Sequence, residues 1–183
     1  MRPRLLGAAS AAACLLAAPV VAQTAPDQGM AGPASRMDTA TADGFVADAA
    51  IGDLYEIQAG QLAQQMGRSN GVRRLGAQMV RDHAQMSSYL RAALPAAGVP
   101  GPPPTELDAR RQRMIGELRN AADWFDRTYL AQQQAAHQEM LLVMNGYAAT
   151  GDNPTLKSLA GRIAPIVQAH LDHVRQLIAE TRR

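Results

Sequence analysis

Val72, Leu75, Met79, His83, Met86 and Leu90 succeed one another at steps of three and four, the spacing that puts side chains on one face of an α-helix. Such a helix gains its stability by burying that face against partners rather than from propensity alone. The rest of the chain must therefore supply other helices of comparable length. It must also accommodate a histidine in the middle of an apolar stripe.

Three further segments meet the first demand. A first long helix is expected from about Asp43 to Gly67, and Ser69 can cap the second, which should stop before Pro95. The run PAAGVPGPPP, Pro95 to Pro104, cannot be regular helix and forms a stiff connection. Thr105 with Asp108 resembles a variant capping box opening a short helix to about Arg119, and a break follows around Asn120 to Asp123. A third long helix then runs from about Asp123 to Ala149. In the turn TGDNP, Asn153 can cap and Pro154 fits the first position of a fourth long helix, which carries Leu156, Leu159, Ile163, Val167, Val174 and Leu177 on one face and Pro165 within it. The expected architecture is all-α, an up-down-up-down four-helix bundle with a short extra helix between the second and third long helices, over residues 42–181.

Each long helix offers one polar side chain to the core: Glu56 in a lane of small residues, His83, His137 between Leu130 and Leu141, and His170 between Val167 and Val174. Measured from the two short turns at a 1.5 Å rise, Glu56 lies ~19 Å along its helix, His83 and His137 ~22 Å, and His170 ~28 Å. Three of the four share a level, with His170 about a turn deeper. Asp126 shares a face with His137 but stands ~16 Å away, where it suits the start of the third long helix through the dipole. His173 falls at the rim. Asp82 points ~100° away from His83 and suits packing or a surface pair.

Ahead of this region, Met1 to Ala22 reads as a secretory signal: Arg2 and Arg4 precede LLGAASAAACLLAA, and Val20 and Ala22 fit the small-residue cleavage positions. Residues 23–41, rich in Ala, Pro, Gly, Thr and Ser, read as a flexible tether. Loss of the leader takes Lys+Arg from 18 to 16 against 16 Asp+Glu, so the formal charge drops from +2 to zero. With few aromatics besides, a nucleic-acid partner is not expected. Cys14, the single cysteine, lies in the leader, which leaves the mature chain without disulfide or thiol chemistry. AAAC lacks the leucine that starts a lipoprotein attachment sequence, favouring a free periplasmic protein over anchoring through Cys14. No later segment approaches the ~20 apolar residues of a membrane span.

The ordered set Phe45, LYEIQAGQLA, VRRLGAQMVRDH, WFDRTYLAQQQAAH, GDNPTLKSLA and Pro165 with His170 resembles the bacterial family catalogued as domain of unknown function 4142, from about Gly44 to Leu177. That resemblance implies an exported protein, ferritin-like in fold, sometimes labelled an outer-membrane protein and assigned no chemistry. It also implies recurrent polar positions at Glu56, Asp82, His83, Asp126, Tyr129, His137 and His170.

A di-iron oxidase or ferroxidase site of the ferritin type needs a Glu from each of two helices and Glu-x-x-His from the other two. Here Val80, Gln134 and Val167 stand three residues before the histidines, so that chemistry is disfavoured, and no phosphate loop, nucleophile elbow or His-Glu-x-x-His helix points to another enzyme. Two readings remain. In one, the protein is a structural or interaction module of the cell envelope, with some envelope protein as partner, and Glu56, His83 and His137 form a hydrogen-bonded polar clasp. In the other, Glu56, His83, His137 and His170 bind one divalent transition metal, Zn, Fe, Ni or Cu, with Cu(I) on Met79 or Met140 as a variant.

Overall fold

The computed structural model describes residues 41–181, so the expected signal peptide, all but the last residue of the expected tether, and Cys14 lie outside the described residues. Five α-helices and one 3₁₀ turn follow in order: α1 Ala42–Met66, α2 Asn70–Ala97, α3 Ala109–Arg119, the 3₁₀ turn Ala122–Trp124, α4 Phe125–Thr150 and α5 Pro154–Glu180. No strand occurs among the described residues. Among them, too, no helix is long and apolar enough to cross a membrane.

Side-chain caps set most of these boundaries. Ser69 Oγ accepts the Val72 N–H at 3.1 Å, and Asn153 Oδ1 accepts those of Thr155 and Leu156 at 3.1 and 3.2 Å. Two boundaries differ from expectation. Helix α2 runs through Pro95 to a cap at Gly98, whose left-handed backbone (φ 67°) lets its own N–H reach the Pro95 carbonyl and the Val99 N–H turn back onto the Leu94 carbonyl. So near the end of the helix, Pro95 forfeits one hydrogen bond and no more. Helix α3 opens with Asp108 as the cap itself, its Oδ1 accepting the Arg111 N–H at 2.7 Å, rather than with a Thr105 box.

The short connections of residues 67–69 and 151–153 fold α1 back on α2 and α4 back on α5. Helix α2 also packs on α5 and α1 on α4, while α3 lies across α1 and α4. Neighbours run antiparallel: Asp53 meets His83 and Gly60 meets Gly76, Asp82 meets His170 and Gln78 meets His173, and Glu56 meets Gln133 and Phe45 meets Tyr147.

The interior has two apolar clusters. One includes Phe45 to Ala50, Met86 to Leu94, Met140 to Tyr147 and Leu156 to Val167. The other includes Tyr55 to Ala63, Val72 to Met79, Phe125 to Leu130, and Val174 with Leu177. On every long helix the change from one cluster to the other falls at a polar residue: Asp53, His83, Gln133 with His137, and His170. A polar layer thus crosses the whole core.

Below that layer α1 and α2 approach closely. A Cβ on Gly76 would lie 2.6 Å from the Gly60 carbonyl oxygen and 2.7 Å from Ala63 Cβ, with backbone on one side and no flexible tip to yield. Gly76→Ala gains ~1 kcal/mol of helix propensity but incurs an overpacking cost of ~1–3 kcal/mol. Urea unfolding should show net destabilisation. Gly116→Ala in α3, which meets nothing within 4 Å, should instead stabilise. Equal behaviour of the two variants would contradict a tight crossing at Gly76.

Candidate metal centre

The polar layer is built from the outside inwards. On α1, Asp53 accepts from His83 Nδ1 at 2.8 Å through one carboxylate oxygen and from Ser87 Oγ at 3.0 Å through the other. On α4, His137 Nδ1 donates to the carbonyl of Gln133, one turn earlier, at 2.9 Å. On α5, His170 Nε2 meets Asp82 Oδ2 at 2.9 Å. A carbonyl or a carboxylate can only accept, so each contact places a proton on the engaged nitrogen and fixes the tautomer.

The other nitrogen of each ring is left with a lone pair. His83 Nε2, His137 Nε2 and His170 Nδ1 are all buried without a hydrogen-bond partner. All three residues are 1% exposed. Their ring centroids form a near-equilateral triangle with sides of 5.6, 5.5 and 5.4 Å, and one nitrogen from each ring lies within 4.8 Å of the other two. Imidazoles bound at ~2.0–2.1 Å set their centroids ~3.2 Å from the ion, so three of them at tetrahedral to trigonal angles stand ~5.2–5.5 Å apart. The ring positions match that triangle.

Electrostatics separates the three. Burial alone pulls His83 down, but the hydrogen bond and charge of Asp53, with Glu56 and Asp82 behind them, leave it above an ordinary histidine. Burial first, and then the charge on His83, push His137 down to about 3 and His170 down to about 4. His83 is therefore the ring that takes up a second proton first. The other two rings are neutral ligand-ready imidazoles at pH 7.

Glu56 takes a different place from the one its level suggested. Its Oε2 accepts from Gln133 Nε2 at 2.6 Å, and its Oε1 lies 3.8 Å from His137 Nδ1, the nitrogen facing away from the triangle. The clustered donor set is three imidazoles without a carboxylate. Burial raises the Glu56 carboxyl. The expected Glu56–His83 pair is replaced by Asp53–His83, because Asp53 stands closer in level to His83.

The remaining polar positions are placed as follows. Asp82 orients His170 rather than serving a surface pair. Asp126 accepts the backbone N–H groups of Arg68 and Ser69, both at 2.8 Å, and so clamps the α1–α2 turn while sitting in the first turn of α4. Tyr129 is fully buried with its hydroxyl unpartnered. His173 faces Gln78 Oε1 at 3.1 Å, outside the triangle. Met79 and Met140 fall in separate apolar clusters. The orienting residues Asp53, Ser87 and Gln133 were missed in the sequence. For Asp53 a signal existed, since the same ruler sets it at ~23 Å against ~22 Å for His83.

The family model described as Domain of unknown function (DUF4142) matches residues 26–177. No curated protein and no solved structure matches the chain.

Proposed function

The chain belongs to the family described as a domain of unknown function, DUF4142, a description that names no activity, and we propose that it is an exported, ferritin-like four-helix bundle that binds a single divalent transition metal ion through His83, His137 and His170. The bundle is supported by the ring of antiparallel neighbours α1, α2, α5 and α4. Export is supported by the leader pattern of Met1 to Ala22.

One observation carries the metal reading: three buried imidazoles offer one nitrogen each within 4.8 Å of the others, and on every ring one nitrogen is held by an acceptor while the other has no partner among the described residues. An unsatisfied buried nitrogen costs ~1–3 kcal/mol, and the three unengaged nitrogens form no hydrogen bond with one another. A cation removes that cost. Second-ring acceptors of this kind, two carboxylates and a carbonyl, are those that orient metal-bound histidines and raise their basicity. Imidazole donors suit Zn, Fe, Ni and Cu.

A structural reading has its own support in the buried Asp53–His83 pair, which joins α1 to α2 with or without an ion and would serve an envelope interaction module equally well. Zinc titration by calorimetry separates the two, together with elemental analysis of protein taken from its native compartment. The metal reading expects one equivalent, with about one proton released at pH ~6, because the ion displaces only the proton on His83. Acidification works against binding through that same proton. Absence of stoichiometric uptake with zinc, iron, nickel and copper would return the layer to a purely structural role.

A further inference from the structure

Three histidines leave one position of a tetrahedral ion without a protein donor, and a small cavity adjoins two of them, His83 and His137. Its volume is about 20 Å³, and its buried wall includes His83, His137 and Glu56. The outer wall is formed by Arg110 and Arg111 of α3 with Glu139 of α4. Arg110 forks onto Glu139 with bonds of 2.8 and 2.6 Å, and Arg111 reaches the same carboxylate at 3.8 Å. Helix α3 and its arginine pair therefore close the surface end of the space.

Size decides what can enter. A water needs ~10–15 Å³ of such volume, so the cavity admits one water or a diatomic ligand and excludes an organic substrate. Chemistry decides what would be held. Glu56 is 3% exposed. Gln133 occupies its Oε2, and Oε1 is beyond hydrogen-bonding distance of His137, which leaves an acceptor on the cavity wall. Structural zinc sites fill all four positions with protein ligands, whereas sites that keep three histidines and a water remain open to exchange.

We propose that the fourth position of the ion is an exchangeable one, taken by a single water in this cavity and replaceable by a diatomic ligand arriving from beneath α3. This rests on the three-histidine reading and deepens it: the centre handles a small inorganic ligand rather than serving as a sealed structural clip.

The test uses the whole protein loaded with one equivalent of Cu(II), whose nitrogen couplings identify imidazole ligation. Its electron paramagnetic resonance spectrum is recorded in ordinary and in ¹⁷O-enriched water. Line broadening by ¹⁷O is expected, lost on adding cyanide, while added imidazole, too large for the cavity, leaves it in place. Ala136→Leu, which extends a side chain from the cavity wall, should remove the broadening and keep the nitrogen couplings. Copper bound by imidazole without ¹⁷O broadening in the wild-type protein overturns the open position and leaves the metal reading standing. Broadening that persists in Ala136→Leu with intact couplings overturns the assignment to this cavity. Failure to bind copper or any other ion overturns both.

Discussion

His137→Ala lowers zinc affinity by roughly 10²–10³-fold, since a structural zinc site worth ~10–16 kcal/mol over four ligands loses about a quarter of that with one. His137 is the most informative of the three histidines to remove. Its engaged nitrogen is held by the carbonyl of its own helix, Gln133, so the substitution breaks no ion pair and no bond between helices. Helix propensity favours alanine as well. Loss of zinc in this variant is thus separable from loss of fold, and far-ultraviolet circular dichroism beside the calorimetric isotherm checks both. His173→Ala is the matched control, because His173 faces Gln78 outside the triangle. An isotherm unchanged in His137→Ala, or equally weakened in His173→Ala, would move the ion away from this layer.

Asp53→Ala has the largest expected effect on stability, and it acts on metal affinity too. The carboxylate is buried, bound to His83 on one oxygen and to Ser87 on the other. Removing it leaves the His83 Nδ1–H and the Ser87 hydroxyl without their acceptor and takes away the charge that holds the ring's proton against burial. Breaking such a pair from one side costs roughly 3–5 kcal/mol, which for a domain of this size lowers Tm by on the order of 10 °C. The linkage has a definite sign. The raised His83 contributes stability in full below its unfolded value of ~6.5, and that contribution disappears as pH rises through its folded value. Thermal melts of metal-free protein should accordingly show the gap between wild type and Asp53→Ala narrowing at alkaline pH. Zinc affinity should fall ~10–100-fold, the usual effect of losing an orienting acceptor. A melting temperature within a degree of wild type at pH ~6 would mean that the pair carries little.

Much of the chain's organisation was legible because it depends on local signals. Ser69, Asn153 and Pro154 mark helix starts by chemistry that needs no tertiary context, and three-four spacing exposed the stripes around His83 and His137. The second ring of acceptors was less accessible. Asp82 lies off the apolar stripe, and only the packing of α5 against α2 reveals that it reaches His170. The depth of His170 was misjudged because residues 151–153 advance little along the axis. Counted from Pro154, the first residue of α5, it lies ~24 Å in, against ~20 Å for His137 counted from Thr150, less than one turn apart. Glu56 sits in line with Gly52 and Ala59 in the lane of small residues, whereas Asp53 lies beside that lane. The angular pattern identified the right helix, and the level would have identified the right residue.

The two short connections also divide the chain into a pair of αα-hairpins, α1 with α2 and α4 with α5, each held mainly by contacts near in sequence. Low contact order of this kind lets either hairpin form early. The triangle does not respect that division: His83 belongs to the first hairpin, while His137 and His170 belong to the second. Neither half alone holds more than two of the imidazoles, so the centre comes into existence only when the hairpins dock. A bound ion would then act as a rivet between two folding units, and parting of the hairpins, without unfolding of either, would be sufficient to release it.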